Sequence, residues 1–278
     1  KNINKILIYF LFTHLFVWTL VPSLSNTNLP LDIIEALSWG KEFPFGFHKH
    51  PPLSLWFPQV FFQIFGNQDW SYYFLSQIFI IISFIFVWKF SQDLFSNKMY
   101  SLLSVLLLEG FYFYNFTTPE FNVNICQLPF WSLTVYYCWR GIKKNYYKDW
   151  LIFGAVAALG LLSKYSFIYL LISIDFLFIY LLYTKKINLK FLVFLVSFFI
   201  VLTPHIAWLS NNEYRTIFYA LHRGSIGYTD FFNSHVLNPL SFLIKQIGII
   251  IPFAIMVFFL VSKFKFKINY KDKKIIFL

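Results

Sequence analysis

Residues 70–90 read WSYYFLSQIFIIISFIFVWKF, and no charged residue stands between Asp69 and Lys89. A helix needs about 20 predominantly apolar residues to cross the hydrocarbon core of a bilayer. The stretch has that length and that apolar character. It therefore predicts a transmembrane helix.

The same pattern recurs along the chain, and it predicts about eight spans in all. The candidate spans are residues 5–25, 70–90, 99–116, 122–140, 150–163, 166–183, 190–209 and 239–261. The apolar stretch 52–66 is shorter and flanked by proline, so we expect an interfacial or re-entrant segment there. The fold class predicted is an all-α polytopic membrane protein.

Composition agrees with a membrane protein. Hydrophobic residues make up 58% of the chain and charged residues only 13%, whereas soluble domains carry about 25% charged residues. An ordinary soluble enzyme and a disordered chain are both excluded. The chain does not begin with Met and ends on the apolar letters IIFL. We therefore expect residues 1–278 to be a single transmembrane domain that is truncated at its C-terminus.

The charge distribution predicts an orientation. The net charge is +11, and with a cytoplasmic N-terminus most of the 23 basic residues fall in inner loops, the tail 263–274 included. This bias satisfies the positive-inside rule. Binding to anionic lipid head groups suffices to explain the basic residues of the tail, so we assign no nucleic-acid partner. Most histidines and several acids, Asp230 among them, fall on the outer side, where we expect a site.

The first outer loop carries the densest set of reactive groups. Pro30 is placed to begin a short helix that Pro44 would end. On such a helix Asp32, Glu35, Trp39 and Glu42 share one arc, which predicts a surface helix with its carboxylates toward a cavity. A carboxylate pair at this spacing suits general-base or metal chemistry. Trp39 suits sugar stacking or interfacial anchoring, and a merely solvated acidic face stays an alternative.

The segment that follows reads FHKHPPL and adds cationic groups. We expect Lys49 and His50 to contact a phosphate. A metal site is an alternative, because His-x-His in an extended segment points both rings the same way. The metal-ligand candidates are Asp32, Glu35, His48 and His50. Within the spans, Glu109 is a candidate functional carboxylate, while His14 is expected to be packed.

Four blocks of the sequence resemble the bacterial family 39 glycosyltransferases, which are relatives of the protein O-mannosyltransferases and of the aminoarabinose transferase acting on lipid A. The blocks are LPLDIIEALSWGKEF with FGFHKHPPLSLW in the first outer loop, YNFTTPEFNVN with LPFW after residue 113, GLLSKY at 160–165 and PHIAWLSNN at 204–212. They stand in the family's order and on one predicted face. The resemblance implies the GT-C fold, a transmembrane helix bundle with a catalytic first outer loop.

The resemblance also implies roles for particular residues. Asp32 matches the family's loop acid as general base, with Glu35 as its companion and Glu120 as the acid of the next outer loop. Many members have adjacent Asp and Glu, whereas Ile33 and Ile34 separate them here, so which carboxylate is the base stays open. The candidates for binding the donor phosphate are Lys49, His50, Lys164, Arg215, His222 and Arg223. The candidates for substrate contact are Trp39, Asn122 and Asn124.

The function expected is an inverting transferase that moves a sugar from a polyprenyl-phosphate donor to a glycolipid, polysaccharide or protein. We place it in a bacterial inner membrane with a periplasmic active site. No cofactor is required, although a divalent metal would be compatible with the carboxylates and histidines. A transporter or flippase of lipid-linked sugars is the alternative, and it would show broken helices and an inverted repeat. We find no repeat.

Overall fold

The computed structural model describes residues 2–225, 232–261 and 277. Within that part every regular element is helical and no strand occurs. The predicted all-α class is therefore confirmed. Lys1, Asp230 and the basic tail 263–274, which contributed to the predicted orientation and outer site, lie outside the described residues.

The helices follow one another with short connections. They are α1 (Asn2–Ser25), α2 (Leu31–Trp39), α3 (Leu53–Phe65), α4 (Asp69–Leu94), α5 (Lys98–Leu106), α6 (Val123–Lys144), α7 (Tyr147–Ser163), α8 (Ile168–Tyr183), α9 (Phe194–Asn211), α10 (Arg215–Ser225) and α11 (Asn238–Val261). Single 3-10 turns lead into α8 and α9.

Five helical segments of the described chain are long and apolar enough to cross a membrane, fewer than the eight expected. They are Asn2–Ser25, Asp69–Leu94, Tyr165–Tyr183, Leu189–Asn211 and Asn233–Leu260. Two further candidates form helices that fall short of the same standard. α6 is interrupted by polar and basic residues, and α7 has only 17 residues. The stretch 52–66 forms the 13-residue α3, in agreement with an interfacial or re-entrant segment.

The predicted span 99–116 is wrong as a single helix. α5 ends at Leu106 after nine residues, which extend only about 14 Å. Two 3-10 turns, Leu107–Gly110 and Tyr112–Tyr114, continue the chain. A Cβ at Gly110 would collide with the backbone of Phe253 in α11. The break therefore coincides with a close approach of two chain segments, which hydropathy cannot reveal.

α4 packs against α1, α3, α5 and α6, and its buried face contributes Tyr72, Ile80 and Phe84 to the core. α1 and α6 pack on α4, α7 packs on α6, and α9 packs on α7. The turn from α7 to α8 lies where the sequence placed it, at 163–165. One end of this bundle supports the segments that carry the predicted site.

The first-loop helix is shorter than expected. α2 begins directly after Pro30 but ends at Trp39, with Gly40 as its C-cap. A Cβ at Gly40 would lie 2.7 Å from the Ala36 carbonyl oxygen and 2.8 Å from that of Leu55. Close packing against α3 thus ends the helix, and Glu42 lies outside it. Ile33 and Ala36 form the buried face of α2.

Candidate active site

Five segments meet at one end of the bundle around a cavity of about 190 Å³, which we call the charged cavity. Its walls come from α2, the loop after it, the start of α3, the start of α6 and the exposed helix α10. Five ionisable side chains line it: Asp32, Glu35, Lys49, His50 and Arg223. Two carboxylates, an imidazole and two cationic side chains thus line one small space, and these are the side-chain types that bind anions and transfer protons.

Glu35 and Lys49 form the central ion pair of this cavity. The Lys49 Nζ donates to Glu35 Oε2 at 2.9 Å and forms an ion pair with Oε1 at 2.6 Å. The same ammonium lies 5.1 Å from the centre of the Trp39 ring. Glu35 and Trp39 are four residues apart on α2 and so share one face. The helical spacing therefore presents Lys49 with a carboxylate and an aromatic ring at once.

Asp32 lies one turn before Glu35 on the same face of α2, but its hydrogen-bond partners differ from those of Glu35. Its backbone N–H donates to Glu120 Oε1 at 3.3 Å. Within the part of the chain that the structure describes, its own carboxylate makes no hydrogen bond or ion pair. Asp32 is exposed, whereas Glu35 is half-buried. The two acids that sequence alone left equivalent are thus chemically distinct.

His50 is half-buried in the charged cavity, and its surroundings change its protonation. Burial lowers the pKa of His50 below 6.5; Lys164 and Arg223 act in the same direction, while Asp32 and Glu35 oppose them. The imidazole therefore loses its proton more readily than an exposed histidine does. An anion bound beside it would favour the protonated form.

Two asparagines stand at the start of α6: Asn122 lines the charged cavity, and Asn124 contacts Lys164. Asn122 caps the helix, because its side-chain oxygen accepts from the backbone N–H groups of Asn124 and Ile125. Asn124 Oδ1 accepts from Lys164 Nζ at 2.6 Å. Burial lowers the pKa of Lys164. Lys164 thus lies within electrostatic reach of His50 without lining the cavity itself.

The loop 45–48 is held by groups that sequence reasoning did not assign. The Phe45 carbonyl accepts from His205 Nδ1 at 2.6 Å, so that nitrogen carries the hydrogen. The other ring nitrogen of His205 then accepts from the Tyr165 hydroxyl at 2.8 Å. The Thr216 hydroxyl donates to the Phe47 carbonyl. These contacts from α9, α10 and the turn before α8 fix the loop directly before Lys49. We call them the loop latch.

Gly46 completes the loop latch by close packing. A Cβ at this position would overlap the indole of Trp208, whose ring stacks parallel to that of His205. The PHIAW block contains both rings, His205 and Trp208. The hydrogen-bond partner of His205, however, is the backbone carbonyl of Phe45, 160 positions earlier in the chain. No side-chain pattern marks such a partner.

Several predicted site residues do not reach the charged cavity. Arg215 is exposed and lies 3.7 Å from Glu213. His222 is exposed on α10 and does not line the cavity. His48 packs against the Tyr219 ring, so its contacts differ from those of His50. Among the described residues, no group of three or more His, Cys, Asp and Glu side chains is placed to hold a metal.

Glu109 contacts neighbours in the core rather than the charged cavity. His14 Nδ1 donates to Glu109 Oε1 at 2.7 Å, and the His14 side chain is only 2% exposed. The buried Asn115 amide donates to the Glu109 carbonyl oxygen and carboxylate. His14 is packed, as expected, and Glu109 serves as its partner. The pair joins α1 to the break after α5.

Residues 49–208, more than half of the chain, match the sequence profile of the family described as dolichyl-phosphate-mannose-protein mannosyltransferase. The chain belongs to this family. The match to the mannosyltransferase family includes Lys49, His50, Glu120 and Lys164. It begins after Asp32 and Glu35, so the placement of these two acids rests on the geometry alone.

The chain is also similar in sequence to a curated glycosyl transferase. The chain is 27% identical over 147 residues to an undecaprenyl phosphate-alpha-4-amino-4-deoxy-L-arabinose arabinosyl transferase of Wigglesworthia glossinidia brevipalpis. The aligned region is 50% of this chain and 25% of that relative, so the chain spans about a quarter of the relative's length. No solved structure matches the chain. The family membership and the apolar helices identify a multi-pass membrane protein of the mannosyltransferase family.

Proposed function

We propose that the protein transfers a sugar from a polyprenyl-phosphate donor to an acceptor, with inversion, at the charged cavity. The observation that carries this proposal is the meeting of Asp32 and Glu35 with Lys49, His50 and Arg223 around one space. A lipid phosphate is already a competent leaving group. Such a reaction mainly needs a base for the acceptor and cations for the departing phosphate.

Lys49, His50 and Arg223 are the groups proposed to bind the donor phosphate. They line the cavity from two separate segments, the first loop and α10. A phosphate between them would accept charge-assisted hydrogen bonds from both sides. Arg223 is exposed and extends from α10, so it is the cation best placed to accommodate a large lipid-linked substrate.

Asp32 is proposed as the general base. The Glu35 carboxylate is already occupied by Lys49, whereas that of Asp32 makes no such contact within the described residues. In the proposed step Asp32 takes the proton of the acceptor hydroxyl, and the acceptor oxygen forms a bond to the anomeric carbon. The bond from that carbon to the phosphate oxygen breaks, and its electron pair leaves with the phosphate. One displacement inverts the anomeric centre without a covalent intermediate.

The proposed location is the periplasmic side of a bacterial inner membrane. Basic residues gather at the end of the bundle opposite the charged cavity. There Lys143 pairs with Asp93 at 3.3 Å, and Lys190 donates to the Asn145 carbonyl. Because positive loops remain in the cytoplasm, the cavity would face the other side.

The test compares carboxylate variants of the full-length protein in membranes that contain radiolabelled polyprenyl-phosphate mannose or aminoarabinose. Asp32→Asn is expected to lower kcat by about 100-fold or more, the usual contribution of a general base. Glu42→Gln is the matched control, since Glu42 belongs to the same loop but lies outside α2 and does not line the cavity. Equal rates for Asp32→Asn and Glu42→Gln would refute the assignment of the base. Retention of the anomeric configuration in the product would refute the single displacement.

A further inference from the structure

A second cavity, of about 380 Å³, adjoins the charged cavity and has a different chemistry. We call it the aromatic cavity. Its lining combines aromatic rings with amide and carboxylate groups: Tyr112, Phe113, Phe116, Glu120, Asn122 and Asn124. The volume lies within the range of small-molecule sites. The proposed reaction needs a binding site for a second substrate, and donor phosphate binding leaves this cavity unused.

The two cavities meet at a polar wall. Asn122 lines both of them. Glu120 lines the aromatic cavity and accepts from the backbone N–H of Asp32, which lines the charged cavity. The proposed base therefore stands at the junction. In an inverting displacement the nucleophile attacks the anomeric carbon from the side opposite the departing group, and two adjoining cavities beside the base suit that arrangement.

The described lining of the aromatic cavity contains no cationic side chain. Among the described residues, no Lys, Arg or His side chain lines it, and Glu120 is the one carboxylate in its lining. Lys164 does not line this cavity, and its ammonium donates to Oδ1 of the lining residue Asn124. A phosphate placed here would meet a like charge without a lining cation. A hydroxyl-rich ring would instead meet amides, a carboxylate and aromatic faces.

The aromatic rings are arranged as a surface on which such a ring can stack. Tyr112 and Phe113 stack with their centres 4.3 Å apart. Phe116, which is 76% exposed, packs edge-on against Trp18 in the last third of α1, a helix long and apolar enough to cross a membrane. We propose that the aromatic cavity binds the acceptor as an uncharged carbohydrate whose hydroxyl is glycosylated, rather than as a phosphate. This inference rests on the proposed function.

The test separates donor cleavage from acceptor use in the full-length protein. The donor is the radiolabelled polyprenyl-phosphate sugar, and its transfer to water reports on the charged cavity alone. Four acceptor probes are then added: octyl glucoside, maltose, glucose 1-phosphate and a serine-containing peptide. We expect transfer to the two neutral sugars and none above background to the other two. Octyl glucoside against maltose distinguishes a lipid-anchored acceptor from a soluble one.

Phe113→Ala tests the stacking surface, and Phe95→Ala is the matched control. The two phenylalanines are similarly exposed, at 38% and 40%, but Phe95 lies beyond the far end of α4. We expect Phe113→Ala to raise the KM for octyl glucoside about fivefold to tenfold and to leave transfer to water unchanged. A second variant, Thr117→Arg, places a cation in the lining and is expected to permit transfer to glucose 1-phosphate.

Three results would overturn the inference. They are efficient transfer to glucose 1-phosphate or to the peptide by the unmodified protein, equal effects of Phe113→Ala and Phe95→Ala, and loss of transfer to water in Phe113→Ala. Failure of the proposed function gives a different result, because the donor would then be consumed in no arm of the experiment.

Discussion

Lys49 binds both carboxylate oxygens of Glu35, with its Nζ 2.6 Å and 2.9 Å from them. The pair connects α2 to the loop that follows it and leaves Asp32 as the acid without such a partner in the described structure. A buried or half-buried ion pair adds little net stability but is sensitive to loss of one member. Its value here is positional, since it holds an ammonium at the wall of the charged cavity.

The first prediction concerns this division between the two acids. Glu35→Gln preserves a side-chain oxygen that can accept from Lys49, so kcat should fall by less than about tenfold. Asp32→Asn removes the proposed base and should cost about 100-fold or more. Steady-state kinetics with a polyprenyl-phosphate sugar measure both values. The opposite order would assign the base to Glu35.

The second prediction concerns pH. Burial places the pKa of His50 below 6.5, so binding of an anionic phosphodiester, which does not itself titrate near neutrality, should be coupled to proton uptake by His50. The KM for the donor should therefore decrease as the pH falls from about 7.5 toward 5.5. His50→Gln should abolish this slope. An unchanged slope in the variant would show that another group takes up the proton.

The third prediction concerns the loop latch. Gly46→Ala forces a Cβ into the Trp208 ring, and overpacking of this kind typically costs about 1–3 kcal/mol. Because the loop leads directly to Lys49, the donor KM should rise as the thermal midpoint falls. Thermal unfolding in detergent and donor kinetics measure the two effects.

The control for the loop latch is Gly248→Ala, since a Cβ at Gly248 meets nothing within 4 Å. In a helix this change should be neutral or slightly stabilising. The double variant Gly46→Ala with Trp208→Leu should recover part of the lost stability. If the second change adds to the damage instead, overlap with the ring is not the cause.

The fourth prediction concerns the pair in the core. His14→Leu removes the donor to Glu109 and leaves a carboxylate without its ring partner, which should destabilise the protein by about 1–3 kcal/mol. The double variant His14→Leu with Glu109→Leu should be less destabilised than the sum of the single changes. The free energies of unfolding of the four proteins, measured in detergent, give the coupling free energy between His14 and Glu109. Simple additivity would mean that the contact contributes nothing.

The helices that cross the membrane could be predicted from sequence because apolar length is a local property. The ends of α2 and α5 could not be predicted. Gly40 ends α2 because α3 packs against it, and Gly110 lies at the break after α5 because α11 packs against it. Both events depend on residues distant in the chain, and hydropathy averages over a window that cannot register them.

In the site too, features set by neighbouring residues could be predicted, whereas features set by residues distant in the chain could not. The helical spacing of Asp32 and Glu35 correctly indicated one face toward a cavity. The sequence alone does not distinguish Arg215 from Arg223. Only the packing of α10 shows that Arg223 lines the charged cavity while Arg215 remains exposed. His205 was visible as a motif residue, but its partner is a peptide carbonyl that every residue possesses.

The capping role of Asn122 has a consequence for what the aromatic cavity can recognise. An amide side chain offers one oxygen that accepts and one NH2 group that donates. The oxygen of Asn122 already accepts from two backbone N–H groups, and that of Asn124 accepts from Lys164. The oxygens of both asparagines are thus engaged, and their NH2 groups are the parts that can donate to a ligand beside the carboxylate of Glu120, which accepts. We therefore expect the wall to favour a ligand whose neighbouring oxygens accept twice and donate once.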